Sequence, residues 1–172
     1  MKFATIHKPV SIALYVLSLG MPGYYVGSPH GFFEYLGIYN LVLGWLGLLF
    51  GQVAWFANPL FLLSFRKISQ KSSAKLAIWS LAVALTFLVN PRMVRNTAQM
   101  GEIIHGFGLG YALWVSAIAV MAIGQYRMSQ GHDKLAAAKP ALGTAAGILA
   151  LYVVYFFLFP IPESLAIGIF GR

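Results

Sequence analysis

Two short segments carry the residues of this chain that could do chemistry together. His30 and Glu34 lie four positions apart, and Glu102 and His105 lie three positions apart. Such spacings place two side chains on one face of an α-helix, and two imidazoles with two carboxylates suit Zn²⁺ or another first-row divalent ion. If two helices bring these pairs together, the four residues form a divalent metal site at the outer face. The alternative, which we favour, is that each residue is solvated separately or caps a helix. A haem bound between His30 and His105 is less favoured than the metal ion, because both histidines lie at the ends of predicted helices.

Other catalytic arrangements are missing from the sequence. The chain has no cysteine, which excludes disulfides, thiol catalysis and Cys-ligated metals. It also has no P-loop, no dinucleotide-binding fingerprint and no recognisable Ser–His–Asp arrangement. The residues therefore favour a protein that is not an enzyme, and a divalent ion is the one cofactor that we consider.

Five long apolar stretches must position these residues. They contain no Asp, Glu, Lys or Arg and cover residues 10–27, 36–63, 76–89, 106–125 and 141–159. About 20 apolar residues cross the hydrocarbon core as a helix, and a helix satisfies its own backbone hydrogen bonds in lipid. The whole chain is 59% hydrophobic and 9% charged, whereas a soluble domain carries about 25% charged residues. The sequence predicts an all-α integral membrane bundle of about five transmembrane helices, with residues 1–172 as a single domain.

The basic residues predict the orientation of this bundle. We expect the first stretch to stay as a helix and not to be cleaved as a signal peptide, because its apolar character continues through Val26. Nine of the twelve Lys/Arg residues then flank one side: Lys2, Lys8, Arg66, Lys67, Lys71, Lys75, Arg127, Lys134 and Lys139. Cytoplasmic flanks are enriched in Lys and Arg, so the N-terminus is predicted inside and the C-terminus outside. These cytoplasmic flanks explain the net charge of +8. We therefore expect the lipid bilayer to be the partner of the chain, and we expect no binding to nucleic acid.

The second apolar stretch carries a regular stripe of small and polar residues. Its members recur at alternating spacings of three and four: Gly37, Asn40, Gly44, Gly47, Gly51, Ala54 and Asn58. Helices associate in lipid where small residues let backbones approach, and Asn can hydrogen-bond across the contact. The stripe predicts a packing face, either within this chain or towards a second copy or another membrane protein. A kink or break is expected at Asn58-Pro59, because a residue before proline avoids helical geometry.

The same stretch carries a resemblance. The segment from Gly44 to Pro59 reads Gly-Trp-Leu-Gly, then Ala-Trp-Phe-Ala-Asn-Pro at its end, and residues 108–114 read Gly-Leu-Gly-Tyr-Ala-Leu-Trp. This pattern resembles a group of small, uncharacterised bacterial multi-pass inner-membrane proteins and covers about half of the chain. The resemblance implies a location in the bacterial inner membrane and no particular activity.

Three functions remain open on these grounds. A non-catalytic membrane protein, either an accessory or regulatory subunit or an immunity-type protein, is favoured by the packing stripe and the uncharged apolar stretches. A small oligomeric permease or channel would use Asn40, Gln52 and Asn58 to line its path. A metal-dependent membrane enzyme would use His30, Glu34, Glu102 and His105.

Overall fold

The protein is mostly helical in a computed structural model that describes residues 6–28, 31–66, 69–89, 92–93 and 102–158. Its elements are, in chain order, α1 (His7–Leu19), β1 (Pro22–Ser28), β2 (Gly31–Leu36), α2 (Gly37–Leu43), α3 (Ala57–Leu63), α4 (Gln70–Val89), β3 (Arg92–Met93), β4 (Glu102–Phe107), α5 (Leu109–Ser129) and α6 (Lys134–Leu158). Two 3-10 helices, Gly44–Phe50 and Ala54–Phe56, connect α2 to α3. Among the described residues, α4, α5 and α6 are each long and apolar enough to cross a membrane.

The central helix is α5, and every residue from Val115 to Ala122 on it is buried. Small side chains let its neighbours approach closely: the Ser11 hydroxyl of α1 donates to the Ala117 carbonyl oxygen at 2.7 Å. By contrast, α6 is mostly exposed along its length, and Phe157 keeps 77% of its surface. The core of the molecule therefore lies around α5, with α6 at its edge.

The helices next to α5 run antiparallel to it. At one end of the molecule the Gly108 N–H donates to the Gly23 carbonyl oxygen at 2.9 Å, while His7 lies against Gly124 further along α5. On α4, Ala84 accepts a hydrogen bond from the Tyr111 hydroxyl at 3.4 Å. On α6, Tyr155 lies beside Gly106, and Ala141 packs with Val120. The chain thus passes repeatedly between two ends of one bundle.

Local sequence explains where two of the long helices begin. The Ser69 hydroxyl accepts a hydrogen bond from the Ser72 N–H at 3.1 Å, and α4 starts at Gln70, directly after Ser69. The Asp133 carboxylate accepts one from the Ala136 N–H at 2.7 Å, directly before α6. Both residues are N-caps, which satisfy amide groups that the first helical turn leaves without a partner.

Strands close one end of the bundle, and here the structure differs from the all-α prediction. The four strands form an antiparallel sheet in the order β2-β1-β4-β3. Tyr25 of β1 pairs with Glu34 on one side and with Gly106 on the other. The segments are rich in aromatic and β-branched residues, which favour strands where a partner strand is at hand.

The second apolar stretch is an interrupted arm, in contrast to the single helix that its stripe predicts. α2 ends at Leu43, and the chain reverses after the first 3-10 helix at Gly51, whose φ of 75° is a left-handed conformation that favours glycine. The break therefore lies at Gly51 and not at Asn58-Pro59. Pro59 sits in the first turn of α3, where its missing N–H costs no helical hydrogen bond.

Candidate functional site

The four predicted metal ligands lie in or next to the sheet. Glu34 is exposed on β2, and His105 is exposed on β4. The pair Glu102 and His105 belongs to a strand, so the expectation that a helix places them on one face was wrong. His30 and the side chain of Glu102 lie outside the described residues.

The described part of this region leaves the metal site untested. Since β1 lies between β2 and β4, the backbones of Glu34 and His105 are about 10 Å apart. Among the described residues, no three His, Asp or Glu side chains come close enough together to hold a metal ion. The site of four ligands stays a prediction, which depends on where His30 and Glu102 place their donor atoms.

A cavity lies between α1, the sheet, the interrupted arm, α4 and α5. Its empty volume is about 740 Å³, a figure that includes the open mouth and the solvent space within it. The residues that line it come from all of these elements: Tyr15, Ser18, Leu19, Gly23, Tyr24, Gly37, Asn40, Leu41, Gly44, Gly47, Gln52, Ala54, Trp55, Asn58, Phe87, Gly110, Tyr111 and Trp114. Most of the wall is apolar or aromatic, with a few polar groups.

The predicted stripe is concentrated on this wall. Six of its seven residues line the cavity, and the seventh, Gly51, makes the turn that reverses the arm. A Cβ atom on Gly44 would lie 2.8 Å from the Trp55 ring, and one on Gly47 would lie 3.1 Å from the Gln52 Cβ atom. The small residues thus let the arm fold against itself while they leave open space at its centre.

Asn58 is the best-connected polar residue of the wall. Its Oδ1 atom accepts hydrogen bonds from the Tyr15 hydroxyl at 3.0 Å and from the Trp114 indole N–H at 2.9 Å. Its Nδ2 atom donates to the Trp55 carbonyl oxygen at 3.2 Å. These bonds join α1, α5 and the arm, so Asn58 has a structural role whatever the cavity holds.

Gln52 and Trp55 hold the turn of the arm. The Gln52 Oε1 atom accepts a hydrogen bond from the Ala54 N–H at 3.1 Å. The Trp55 indole N–H donates to the Leu41 carbonyl oxygen at 2.8 Å and ties the second half of the arm to α2. Both side chains line the cavity, but the Gln52 Oε1 atom and the Trp55 indole N–H already have hydrogen-bond partners within the protein.

Two other polar groups of the wall have no partner among the described residues. The Tyr24 hydroxyl is one, although only 3% of that residue is exposed, and the Asn40 Oδ1 atom is the other. The Tyr24 ring is held between Tyr35 and Phe87, with ring centroids 5.2 and 5.7 Å away. The Tyr24 phenol can both donate and accept a hydrogen bond. A buried polar group without a partner costs free energy, and these two groups are therefore where a ligand has most to gain.

The described lining of the cavity is uncharged. None of the described residues that line it is Asp, Glu, Lys, Arg or His. Its polar groups are carboxamides, hydroxyls and indoles, none of which exchanges a proton readily near neutral pH. Asn40, Gln52 and Asn58 could be singled out from the sequence as polar residues in an apolar stretch. Tyr24 could not, because nothing in its neighbourhood distinguishes a buried strand tyrosine from one at a membrane boundary.

Comparison with models of known families, with curated proteins and with solved structures finds no match for this chain.

Proposed function

We propose that this chain is a non-catalytic multi-pass protein of the bacterial inner membrane that binds a small, largely apolar molecule in its cavity. In this role it is an accessory or regulatory subunit, or an immunity-type protein, and the bound molecule or a neighbouring membrane protein is its partner. The observation that carries the proposal is the cavity itself, which is lined by apolar groups and uncharged hydrogen-bonding groups.

The proposal includes five membrane crossings with the N-terminus inside. In this proposal α1, α4, α5 and α6 each cross once, and the arm makes the remaining crossing as a whole despite its turn at Gly51. Of the described basic residues, seven lie near the helix ends opposite the sheet, namely Lys8, Arg66, Lys71, Lys75, Arg127, Lys134 and Lys139, and one, Arg92, lies in β3 of the sheet. Their excess supports a cytoplasmic position for that end, which puts the sheet at the outer headgroups.

Short or broken crossings are compatible with this arrangement. α1 has 13 residues, or about 20 Å at the rise of a helix, which is less than the hydrocarbon thickness. Its path continues into β1, whose backbone pairs with β2 and β4. The second half of the arm is covered by α4, with Ser80 donating to the Ala57 carbonyl oxygen at 2.8 Å, whereas Trp45 and Leu49 of the first 3-10 helix are exposed. Non-helical backbone is tolerated at membrane depth where protein or a cavity covers it in this way.

A fluorescence experiment tests binding in the cavity. Trp55 and Trp114 line it, so a bromoalkane that enters will quench their emission, and we expect saturable quenching by bromoundecane in nanodiscs. Ala54→Leu adds three carbon atoms to the cavity wall and should reduce the saturable quenching at least threefold. Ala82→Leu makes the same change on an exposed part of α4 and should leave it unchanged. Quenching that never saturates, or that is equal in both variants, contradicts the proposal.

A small permease or channel is the second candidate function. One observation favours it: Asn40, Gln52 and Asn58, the three residues predicted to line a path, all lie on the wall of this one cavity. Efflux of glycerol from proteoliposomes, compared between the unmodified protein and Ala54→Leu, separates a path from a closed binding site. Flux above that of empty liposomes, with loss in the variant, would favour transport over the accessory role.

A further inference from the structure

We infer that the cavity takes a neutral amphiphile with a hydroxyl head and an apolar body, an inference that rests on the proposed binding function. It depends on the two polar groups that the protein leaves without a partner, together with the surfaces around them.

First, the polar groups of the cavity wall differ in whether they already have a hydrogen-bond partner. The polar atoms of Asn58, the Gln52 Oε1 atom and the Trp55 indole N–H already have partners at 2.8–3.2 Å. The Tyr24 hydroxyl and the Asn40 Oδ1 atom have none among the described residues. Tyr24 can donate or accept, whereas a carboxamide oxygen only accepts. A ligand hydroxyl both donates and accepts, so it suits either group.

The second step concerns charge. An anionic ligand would be buried without a cation, since the described lining includes no Lys, Arg or His, and a cationic ligand would lack a carboxylate. Burial of an unpaired charge is costly enough to exclude both. The head group must therefore be polar and neutral.

The third step concerns the direction of the ligand. Tyr24 lies on β1, and Asn40 lies in the first turn of α2 directly after β2, so both belong to the end of the cavity nearest the sheet. Further from the sheet the wall includes the aromatic rings of Tyr15 and Trp114, which both donate to Asn58. With the sheet at the outer headgroups, the hydroxyl of the ligand would lie near the surface and its apolar body deeper. Long-chain alcohols, monoglycerides and phenols with alkyl tails orient themselves in this way, and they are the classes that we expect.

The experiment compares three probes of equal length: bromoundecane, ω-bromoundecanol and ω-bromoundecanoic acid. Trp45→Phe and Trp79→Phe remove the two tryptophans that are 50% and 63% exposed, which leaves Trp55 and Trp114 as reporters of the cavity. A second protein that retains Trp79 alone reports the concentration of each probe in the lipid. The ratio of the two quenching curves measures preference for the cavity.

We expect the alcohol to be preferred over the bromoalkane about 3- to 10-fold, which corresponds to the net value of one or two hydrogen bonds. Tyr24→Phe preserves the ring and should reduce that preference at least threefold, and Asn40→Leu should do the same. Tyr39→Phe, on the exposed side of α2, should leave it unchanged.

The outcomes separate this inference from the proposed function. Saturable quenching that is equal for the alkane and the alcohol, or a preference that survives Tyr24→Phe and Asn40→Leu, overturns the hydroxyl inference and leaves binding in place. A preference for the acid overturns the requirement for a neutral head. If no probe quenches the cavity tryptophans saturably, the proposed function itself fails.

Discussion

Gly124 on α5 is a position where a single added methyl group would clash with a neighbouring helix. A Cβ atom there would contact the imidazole of His7, with the His7 Cδ2 atom at 2.5 Å and its Cβ atom at 2.8 Å. His7 is fully buried, so its ring has no free space to move into. Rotation of the ring would not remove the contact between the added Cβ atom and the His7 Cβ atom. The clash is therefore removed only if α1 moves away from α5.

The magnitude follows from comparison with a matched substitution. Overpacking of this kind costs about 1–3 kcal/mol, so Gly124→Ala should lower the free energy of unfolding by that amount. Gly143 on α6 has no atom within 4 Å of the same added Cβ atom, and Gly143→Ala should raise the stability by about 0.5–1 kcal/mol through its helix propensity. The two substitutions, although chemically identical, should differ by about 1.5–4 kcal/mol.

Equilibrium unfolding in mixed micelles of dodecylmaltoside and SDS, followed by far-UV circular dichroism, measures both values. A double-mutant cycle with His7→Ala provides the control, and we expect the two sites to couple by about 0.5–3 kcal/mol. The clash with the ring atoms disappears with the imidazole, while the contact with the Cβ atom of position 7 remains. Equal stability of the Gly124→Ala and Gly143→Ala proteins, or additive effects in the cycle, would refute the close packing of α1 against α5.

Three further expectations concern orientation, the hydrogen-bond network and the metal site. Reporter fusions after Arg127 should read cytoplasmic and fusions at Arg172 periplasmic; a cytoplasmic reading at Arg172 would contradict five crossings. Tyr15→Phe removes one of the two bonds to the Asn58 Oδ1 atom and should cost about 1 kcal/mol of unfolding free energy; an unchanged value in the mixed-micelle assay would mean that the bond adds nothing. Inductively coupled plasma mass spectrometry of the purified protein should detect about one Zn²⁺ per chain if the predicted metal site forms, and His105→Ala should abolish it; metal that remains bound in the variant would exclude that site.

The sequence predicts the long helices well because length and the absence of charge suffice for them. The stretch 141–159 falls largely within α6, and 76–89 falls within α4. Helix α6 nevertheless begins at Lys134, since the cap provided by Asp133 extends it beyond the apolar run. The strands could not be predicted in the same way. Val26 and its neighbours continue an apolar stretch, and only their pairing with β2 and β4 makes that segment extended.

The candidate site is predictable in composition but not in shape. The spacing from Gly37 to Asn58 predicts a packing face on one helix, and in the structure six of the seven residues line one cavity; their role as an interface stays a prediction. A helical repeat cannot indicate that Gly51 reverses the chain, or that the arm then encloses space that no neighbouring helix fills. The importance of Tyr24 depends on a missing hydrogen-bond partner, which is a property of the folded molecule alone.

The place of α5 in the chain has a consequence for how the protein is made. Everything that α5 packs against except α6 precedes it in the sequence, and α5 supplies Gly110, Tyr111 and Trp114 to the cavity wall. Domains begin to fold as the chain emerges from the ribosome. Here α1, the arm and α4 cannot complete their packing before α5 has been synthesised. Until α5 inserts, the Asn58 Oδ1 atom lacks the indole N–H of Trp114, and β1 lacks its β4 neighbour. Assembly is therefore decided late in synthesis, when one helix enters among partners already in the bilayer. A nascent chain that stalls before residue 102 presents an incomplete bundle to insertases and membrane proteases.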